Sequence, residues 1–399
     1  MKTMSEIKDI VVLSTADWDN PFWTNKQHVA LELAKRGHRV LYIESLGLRR
    51  PSVNTKDISR IFRRIFKALK PPRKVRDNIW VWSPISIPFN NNALIRKINK
   101  FILSRALKIW CWRLDFQDET LWTYNPLTTR FLSLKDFLYT VYHCVDEIKA
   151  QPGMPVEILQ EAEEELVRNV DITFVTSLTL LKTRKKWSEE VYYYSNVADY
   201  DHFSSALKLE TSVPLELLKI PEPRIGFIGA ISGYKVDFSL LVKIAKTHPE
   251  WSLVMVGEIG EGDPNTDATQ LTRYKNIFLT GSRSYQDLPG YLKGFTATLL
   301  PNTLNEYTAS MFPMKFFEYL AAGKPVVSVD LVSLQEFREY VRIGRTPDEF
   351  ISALEDIIAG NRIPIEQCQE LAQQYTYQSR TEKMFKLIDG KRNESCNRT

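Results

Sequence analysis

Short apolar runs alternate with helix-period stretches along nearly the whole chain. Asp9 to Ser14 is a buried-strand pattern followed by a polar and aromatic loop, Thr15 to Trp23. Asn25 is placed to cap a helix over Lys26 to Arg36. Gly37 ends that helix, and Arg39 to Glu44 is the next apolar run. Strand, loop, helix and strand in that order open a parallel α/β sheet. The pattern predicts further strands at Ile79–Trp82, Glu119–Tyr124, Phe137–Tyr142, Ile172–Thr176 and Val191–Tyr194. Helices are expected at Val156–Arg168 and Ser177–Lys186. The irregular, proline-bearing stretch Ala206–Glu222 reads as a domain junction. A second series follows, with strands at Arg224–Ile228, Ser252–Val256, Asn276–Leu279, Ala297–Leu300 and Pro325–Val329. Its helices are expected at Asp237–Thr247, Tyr285–Lys293, Pro313–Ala322 and Pro347–Ala359, and two more occupy the tail. The fold class is therefore α/β, with two Rossmann-like halves and ligands at the carboxyl ends of strands.

One stretch organises the second half: Pro313 to Val327. Pro313 suits a first helical turn, Gly323 a C-terminal cap, and Pro325 stops the helix before the Val326-Val327 strand. Lys315 and Glu318 are three apart and share one face near the helix start. A helix N-terminus favours a phosphate, and Lys315 adds a full positive charge. Glu318 is placed to accept hydrogen bonds from a ribose diol. The plain alternative is a surface ion pair.

Composition adds bounds. A chain of 399 residues exceeds one simple core, so two domains are expected. There is no run of 18 apolar residues and no apolar leader, and four scattered cysteines have neither metal nor disulfide spacing. These features suggest a cytoplasmic protein, and the basic segment that follows suggests a peripheral place at the inner face of the cell membrane. Charge is uneven: Lys56 to Arg76 carries nine Lys/Arg against one Asp. Within it, Ile58 to Leu69 reads as a basic amphipathic helix. Arg60, Phe62, Arg63, Arg64, Phe66 and Lys67 are candidates to touch an anionic membrane surface, the alternative being a helix packed on the body with a solvated face. Ile95 to Trp112 is a second basic and apolar helix that extends such a surface. No nucleic-acid-binding motif accompanies the charge, so nucleic acid is not expected as a partner.

Candidate chemistry falls at strand ends. The turn Gly229 to Lys235 follows the first strand of the second half; Gly229 permits close approach of a pyrophosphate and Lys235 can reach it. Glu258 follows the next strand in a turn suited to facing a base. In the first half, Asp146 lies after the Phe137–Tyr142 strand and is a candidate general base. His143 is the alternative base, and Glu147 reads as a helix-start residue. His143 and Cys144 point to opposite faces of a strand, which disfavours a nucleophile pair. Asp17, Asp19, Gln27 and His28, in or after the first loop, are candidates for binding an acceptor. No cluster has metal spacing, so neither metal nor cofactor is expected.

With these residues the chain resembles the GT-B glycosyltransferases, two Rossmann-like domains facing across a cleft. It is most similar to the family 4 (group 1) branch, near the teichuronic acid and xanthan glucuronosyltransferases. The resemblance rests on the His28 helix with Arg36 to Val40, Tyr142 to Asp146, Asp171 to Ser177, Asn196 to Asp199, the Gly229 turn and, most strongly, Pro313 to Val327. It implies an acceptor domain over residues 1–205, a nucleotide-sugar domain over 206–376, and a final helix, about 377–399, packing back on the first. It implies that Glu318 binds the donor ribose, that Lys315 and Met314 serve the diphosphate, and that Asp146 is the base. The activity implied is transfer of a sugar from a nucleotide-diphosphate donor, UDP-sugar foremost, to a hydroxyl of a lipid-linked or polysaccharide acceptor. The chain departs from the family where a paired glutamate is usual: the position eight before Glu318 is Ser310. That departure points toward an inverting reaction. The alternatives in other classes are a non-catalytic nucleotide-sugar-binding scaffold and a nucleotide-sugar epimerase.

Overall fold

A computed structural model describes residues 7–20, 23–46, 70–84, 93–263 and 265–398. The expected membrane residues Arg60, Phe62, Arg63, Arg64, Phe66 and Lys67 lie outside the described residues. The chain divides into two compact units: residues 1–194 with 381–399, and Ser195–Arg380. Residues 195–205, expected in the first domain, lie in the second unit, where Ala198 and Phe203 join its core.

Among the described residues the first unit has an eight-stranded sheet. The strands are β1 (Asp9–Leu13), β2 (Arg39–Ile43), β3 (Arg73–Arg76), β4 (Ile79–Trp82), β5 (Thr120–Thr123), β6 (Tyr139–Cys144), β7 (Ile172–Val175) and β8 (Val191–Tyr193). Their order is β3-β4-β2-β1-β5-β6-β7-β8. Apart from the antiparallel β3–β4 pair, neighbours are parallel. Every residue of β1, β5, β6 and β7 is buried, which is why apolar residues occur on both faces of these strands. The basic strand β3 escaped the sequence pattern because it is an exposed edge, where charge rather than burial is favoured. Strand β6 starts two residues later than its pattern suggested, after a tight turn over Leu134–Asp136. The first helix, Asn25–Lys35, is capped by Thr24 rather than Asn25.

The second unit holds β9 (Arg224–Ile228), β10 (Ser252–Val256), β11 (Ile277–Gly281), β12 (Ala297–Leu300), β13 (Val326–Val329) and β14 (Arg342–Gly344). All pairs are parallel, in the order β11-β10-β9-β12-β13-β14. This is a doubly wound sheet whose strand order reverses between β9 and β12. The carboxyl ends of those two strands form the crevice where such sheets take ligands. The Met314–Ala321 helix connects β12 to β13, so its N-terminus lies at the same edge. Phe316, Phe317, Tyr319 and Leu320 bury its inner face. Gly323 follows with φ +65°, the left-handed conformation expected after a helix end.

The Tyr377–Arg398 helix begins in the second unit and from Thr381 belongs to the first. There Phe385 stacks on His38, with ring centroids 4.8 Å apart, and Lys391 pairs with Glu190 at 3.2 Å.

Candidate functional site

In the second unit, three loops at the carboxyl edge are laced together. After β9, Gly229 N donates to Val256 O at 2.9 Å and Ile231 N to Glu258 O at 2.9 Å. From the loop after β12, Asn302 Nδ2 donates to Lys235 O at 3.1 Å and Asn305 Nδ2 to Tyr234 O at 2.7 Å. Gly229 and Gly257 end neighbouring strands, and a Cβ on Gly257 would come within 1.8 Å of the Gly229 carbonyl oxygen. Gly257→Ala is therefore expected to push the two turns apart. It should cost on the order of 1–3 kcal/mol, as overpacking does, measured by urea denaturation, with the Gly229 turn displaced in a crystal structure. Lys235 Nζ lies 5.3 Å from the centroid of Tyr234 and 5.9 Å from that of Tyr307, so its charge rests on an aromatic pair. Glu258 is exposed; its main-chain carbonyl, not its side chain, ties the turn.

Lys315 Nζ donates to Glu318 Oε2 at 2.7 Å. This is no ordinary surface pair, because the Glu318 side chain is only 4% exposed. The ion pair lies in the first turns of the helix, with Met314 half-buried beside it. The helix is fixed to the sheet by Tyr319, whose hydroxyl oxygen accepts from Ile228 N at 2.9 Å. One turn of helix thus couples Glu318 to the last residue of β9. Tyr285, absent from the sequence-based candidates, belongs to this cluster. Its ring stacks on His202 at 4.2 Å. Burial, with Glu318 and Asp199 next in weight, raises the pKa of its hydroxyl and keeps it protonated. Its position just beyond the carboxyl end of β11 was the available signal. Ser310 is buried at the end of the short Glu306–Ala309 helix, whereas Glu306 is exposed at its start. Glu306 therefore does not take the place of a buried carboxylate at Ser310.

In the first unit, the loop after β1 is held by aromatic and polar contacts. Trp18 meets Tyr42 edge-on at 5.2 Å and Trp23 at 5.6 Å, and Trp23 in turn meets His28 at 5.4 Å. Gln27, expected to bind an acceptor, is instead fully buried. Its Nε2 donates to Asp17 O at 3.0 Å and its Oε1 accepts from Thr24 N at 3.1 Å. The amide closes the loop, because an N-terminal turn with unsatisfied donors needs such a partner. His28 is also buried, Asp17 is half-buried, and Asp19 is exposed and paired with Arg73 at 2.5 Å. Lys26 adds a charge not foreseen from sequence: its Nζ lies 5.8 Å from the Tyr124 ring, at the end of β5.

Asp146 follows the carboxyl end of β6 by two residues and is half-exposed. His143 is fully buried, stacked on Tyr124 at 5.0 Å and flanked by Trp122 and Phe174. Cys144 points the other way and its Sγ donates to Glu163 Oε1 at 3.4 Å. Burial, followed by Glu163, holds its thiol well above the ordinary pKa, which suits a structural cysteine. Glu147, expected to be a solvated helix-start residue, is buried. Arg184 grips it through both terminal nitrogens, with Nη2 donating to Oε1 at 2.8 Å. The same guanidinium reaches Glu163 Oε2 at 2.7 Å, and Tyr142 OH donates to Glu163 Oε1 at 2.8 Å. Burial disfavours the guanidinium charge, but the carboxylates of Glu147 and Glu163 outweigh it and raise the Arg184 pKa. This buried network anchors the residue next to Asp146.

The second unit matches a known family. Residues 222–360 fit the model described as Glycosyl transferases group 1. The match spans all six strands of the second sheet and the Lys315–Glu318 pair. No curated protein matches the chain by sequence. Solved structures do match its fold. Sucrose-phosphate synthase from Thermosynechococcus elongatus is similar with a TM-score of 0.67 at 15% identity, over 96% of this chain and 98% of that one. HepE from Anabaena, in complex with UDP and glucose, is similar with a TM-score of 0.66 at 14% identity, over 96% and 100%. Trehalose-6-phosphate synthase OtsA is similar with a TM-score of 0.64 at 12% identity, over 96% and 99%. The fold is thus GT-B.

Proposed function

We propose that the protein is a glycosyltransferase that moves a sugar from a UDP-sugar to a hydroxyl of a lipid-linked or polysaccharide acceptor, near the teichuronic acid and xanthan glucuronosyltransferase type. The observation that carries this reading is the Lys315–Glu318 pair. It lies in the first turns of a helix at the carboxyl edge of a doubly wound sheet, within the region that matches the group 1 family. HepE, a structural neighbour, is described in complex with UDP-glucose, which supports a donor of that class.

In this reading Glu318 accepts hydrogen bonds from the ribose diol. Lys315, Lys235 and the main chain at Met314 and Gly229 stabilise negative charge as it grows on the departing diphosphate. Asp146 takes the proton from the attacking acceptor hydroxyl. The buried, neutral Ser310 supports displacement by the acceptor with inversion. Asp17, Asp19 and His28 remain the acceptor candidates in the first unit, while Gln27 positions their loop. No described helix is long and apolar enough to cross a membrane. An anionic inner membrane surface is part of the same proposal, through the residues from Arg60 to Lys67.

A thermal-shift panel of UDP- and GDP-sugars tests the donor. A UDP-sugar is expected to raise the melting temperature most. Glu318→Ala should weaken its binding by about 10- to 100-fold, the worth of one or two hydrogen bonds to a charged group. A panel in which no nucleotide sugar shifts the melting temperature rejects the donor assignment.

A further inference from the structure

We propose that the outer face of the Ala93–Arg113 helix docks on an anionic phospholipid surface. The inner face of this helix is accounted for: Leu103, Leu107 and Cys111 are buried in the core of the first unit. The outer face should then be polar, as on an ordinary amphipathic helix. It is not. Leu94 is 66% exposed, Phe101 63%, Ile109 51% and Trp112 78%, with Ile98 and Ile102 also exposed between them. At 3.6 residues per turn these six side chains fall within an arc of about 100°. They form one apolar stripe running the length of a 21-residue helix, not scattered single positions.

The charges around the stripe identify what covers it. The helix carries six Lys/Arg and no Asp or Glu. Lys97, Lys108 and Arg113 are exposed beside the stripe, and Arg105 lies within it, its guanidinium 5.5 Å from the Phe101 ring centroid. A second copy of the chain would bring this cationic face against itself, so like charges oppose a homodimer there. An anionic bilayer satisfies both features. Apolar and aromatic side chains enter the headgroup boundary while the long cationic ones reach the phosphates. Trp112, apolar with one polar N–H, suits that depth. The inference builds on the anionic membrane surface proposed above, is argued from residues 94–113 alone, and rests on no assumption about the donor.

Co-sedimentation of the full chain with vesicles tests the proposal. Mixed phosphatidylcholine and phosphatidylglycerol vesicles should bind it, pure phosphatidylcholine vesicles should bind it far less, and added salt should release it. Phe101→Ser/Ile109→Ser/Trp112→Ser should weaken binding at least about tenfold, since insertion scales with apolar area. Lys97→Glu/Arg105→Glu should weaken it comparably and flatten the salt dependence. Both variants alter exposed side chains, so their melting temperatures and UDP-sugar binding should stay at wild-type values; this separates failure of the surface from failure of the donor reading. Three results overturn the proposal: no binding of the wild type to anionic vesicles, binding that neither variant changes, or a lipid-free dimer that the apolar variant dissociates.

Discussion

Arg184→Met is expected to destabilise the first unit by about 3–5 kcal/mol, the usual effect of removing one partner from a buried ion network. The side chains of Arg184, Glu147 and Glu163 are 1%, 5% and 6% exposed. Without the guanidinium, two carboxylates remain in a cavity built for a cation, with Tyr142 and Cys144 as the remaining donors to Glu163. Methionine fills part of the volume but offers no hydrogen bonds. Against a domain stability of roughly 5–15 kcal/mol, such a loss is a large fraction of the total. Urea denaturation followed by tryptophan fluorescence measures it; Trp187, whose ring lies 5.4 Å from the Arg184 guanidinium, is a local reporter. Combining Arg184→Met with Glu147→Gln and Glu163→Gln should recover much of the loss, because the uncompensated charges disappear together. A single-variant effect below about 1 kcal/mol would show that the network is not what holds this part of the core.

The second large effect concerns turnover. In the proposed reaction, Asp146→Asn should lower kcat by about 10²- to 10⁴-fold, the range for loss of a general base. Affinity for the UDP-sugar should change little, since the donor contacts proposed lie in the second unit. UDP release and acceptor transfer, measured with the same donor, distinguish the two parameters. The neighbouring Glu147→Gln provides the contrast. Glu147 is committed to Arg184, so its loss should appear first as lowered stability and only secondarily in rate. A near-normal kcat for folded Asp146→Asn protein would remove Asp146 from the chemistry.

Much of the fold was legible because burial leaves a linear record. Strands covered on both faces carry apolar side chains on both, so β1, β2, β9 and β10, each an apolar run after one polar residue, stand out in the chain. The strands that did not stand out, β3 and β14, lie at sheet edges, where one flank faces solvent and basic residues are tolerated. The Lys315–Glu318 pair was legible for a different reason: helical periodicity alone places residues three apart on one face.

Other site features required the third dimension. Nothing local in the sequence distinguishes Gln27, which is buried and closes a loop, from an exposed amide able to meet a ligand. Glu147 looked like a helix-start residue until Arg184, 37 positions away, came to meet it. Tyr285 joins Glu318 only because β11 ends, and the helix after β12 begins, at one edge of the sheet.

The sequence by itself determined two α/β halves, the helix that opens with Lys315 and Glu318, and the basic, acid-free character of the segment around Ile95 to Trp112. These follow from periodicity and composition, which act between near neighbours. Tertiary structure alone decided which charges are buried and which apolar side chains are left in water. It placed Glu318 beneath Lys315, closed Glu147 and Glu163 around Arg184, and left Phe101, Ile109 and Trp112 on the outside of a helix whose other face is core. Burial is set by contacts between residues far apart in the chain, and the cost or value of a charge or a methyl group depends on that burial.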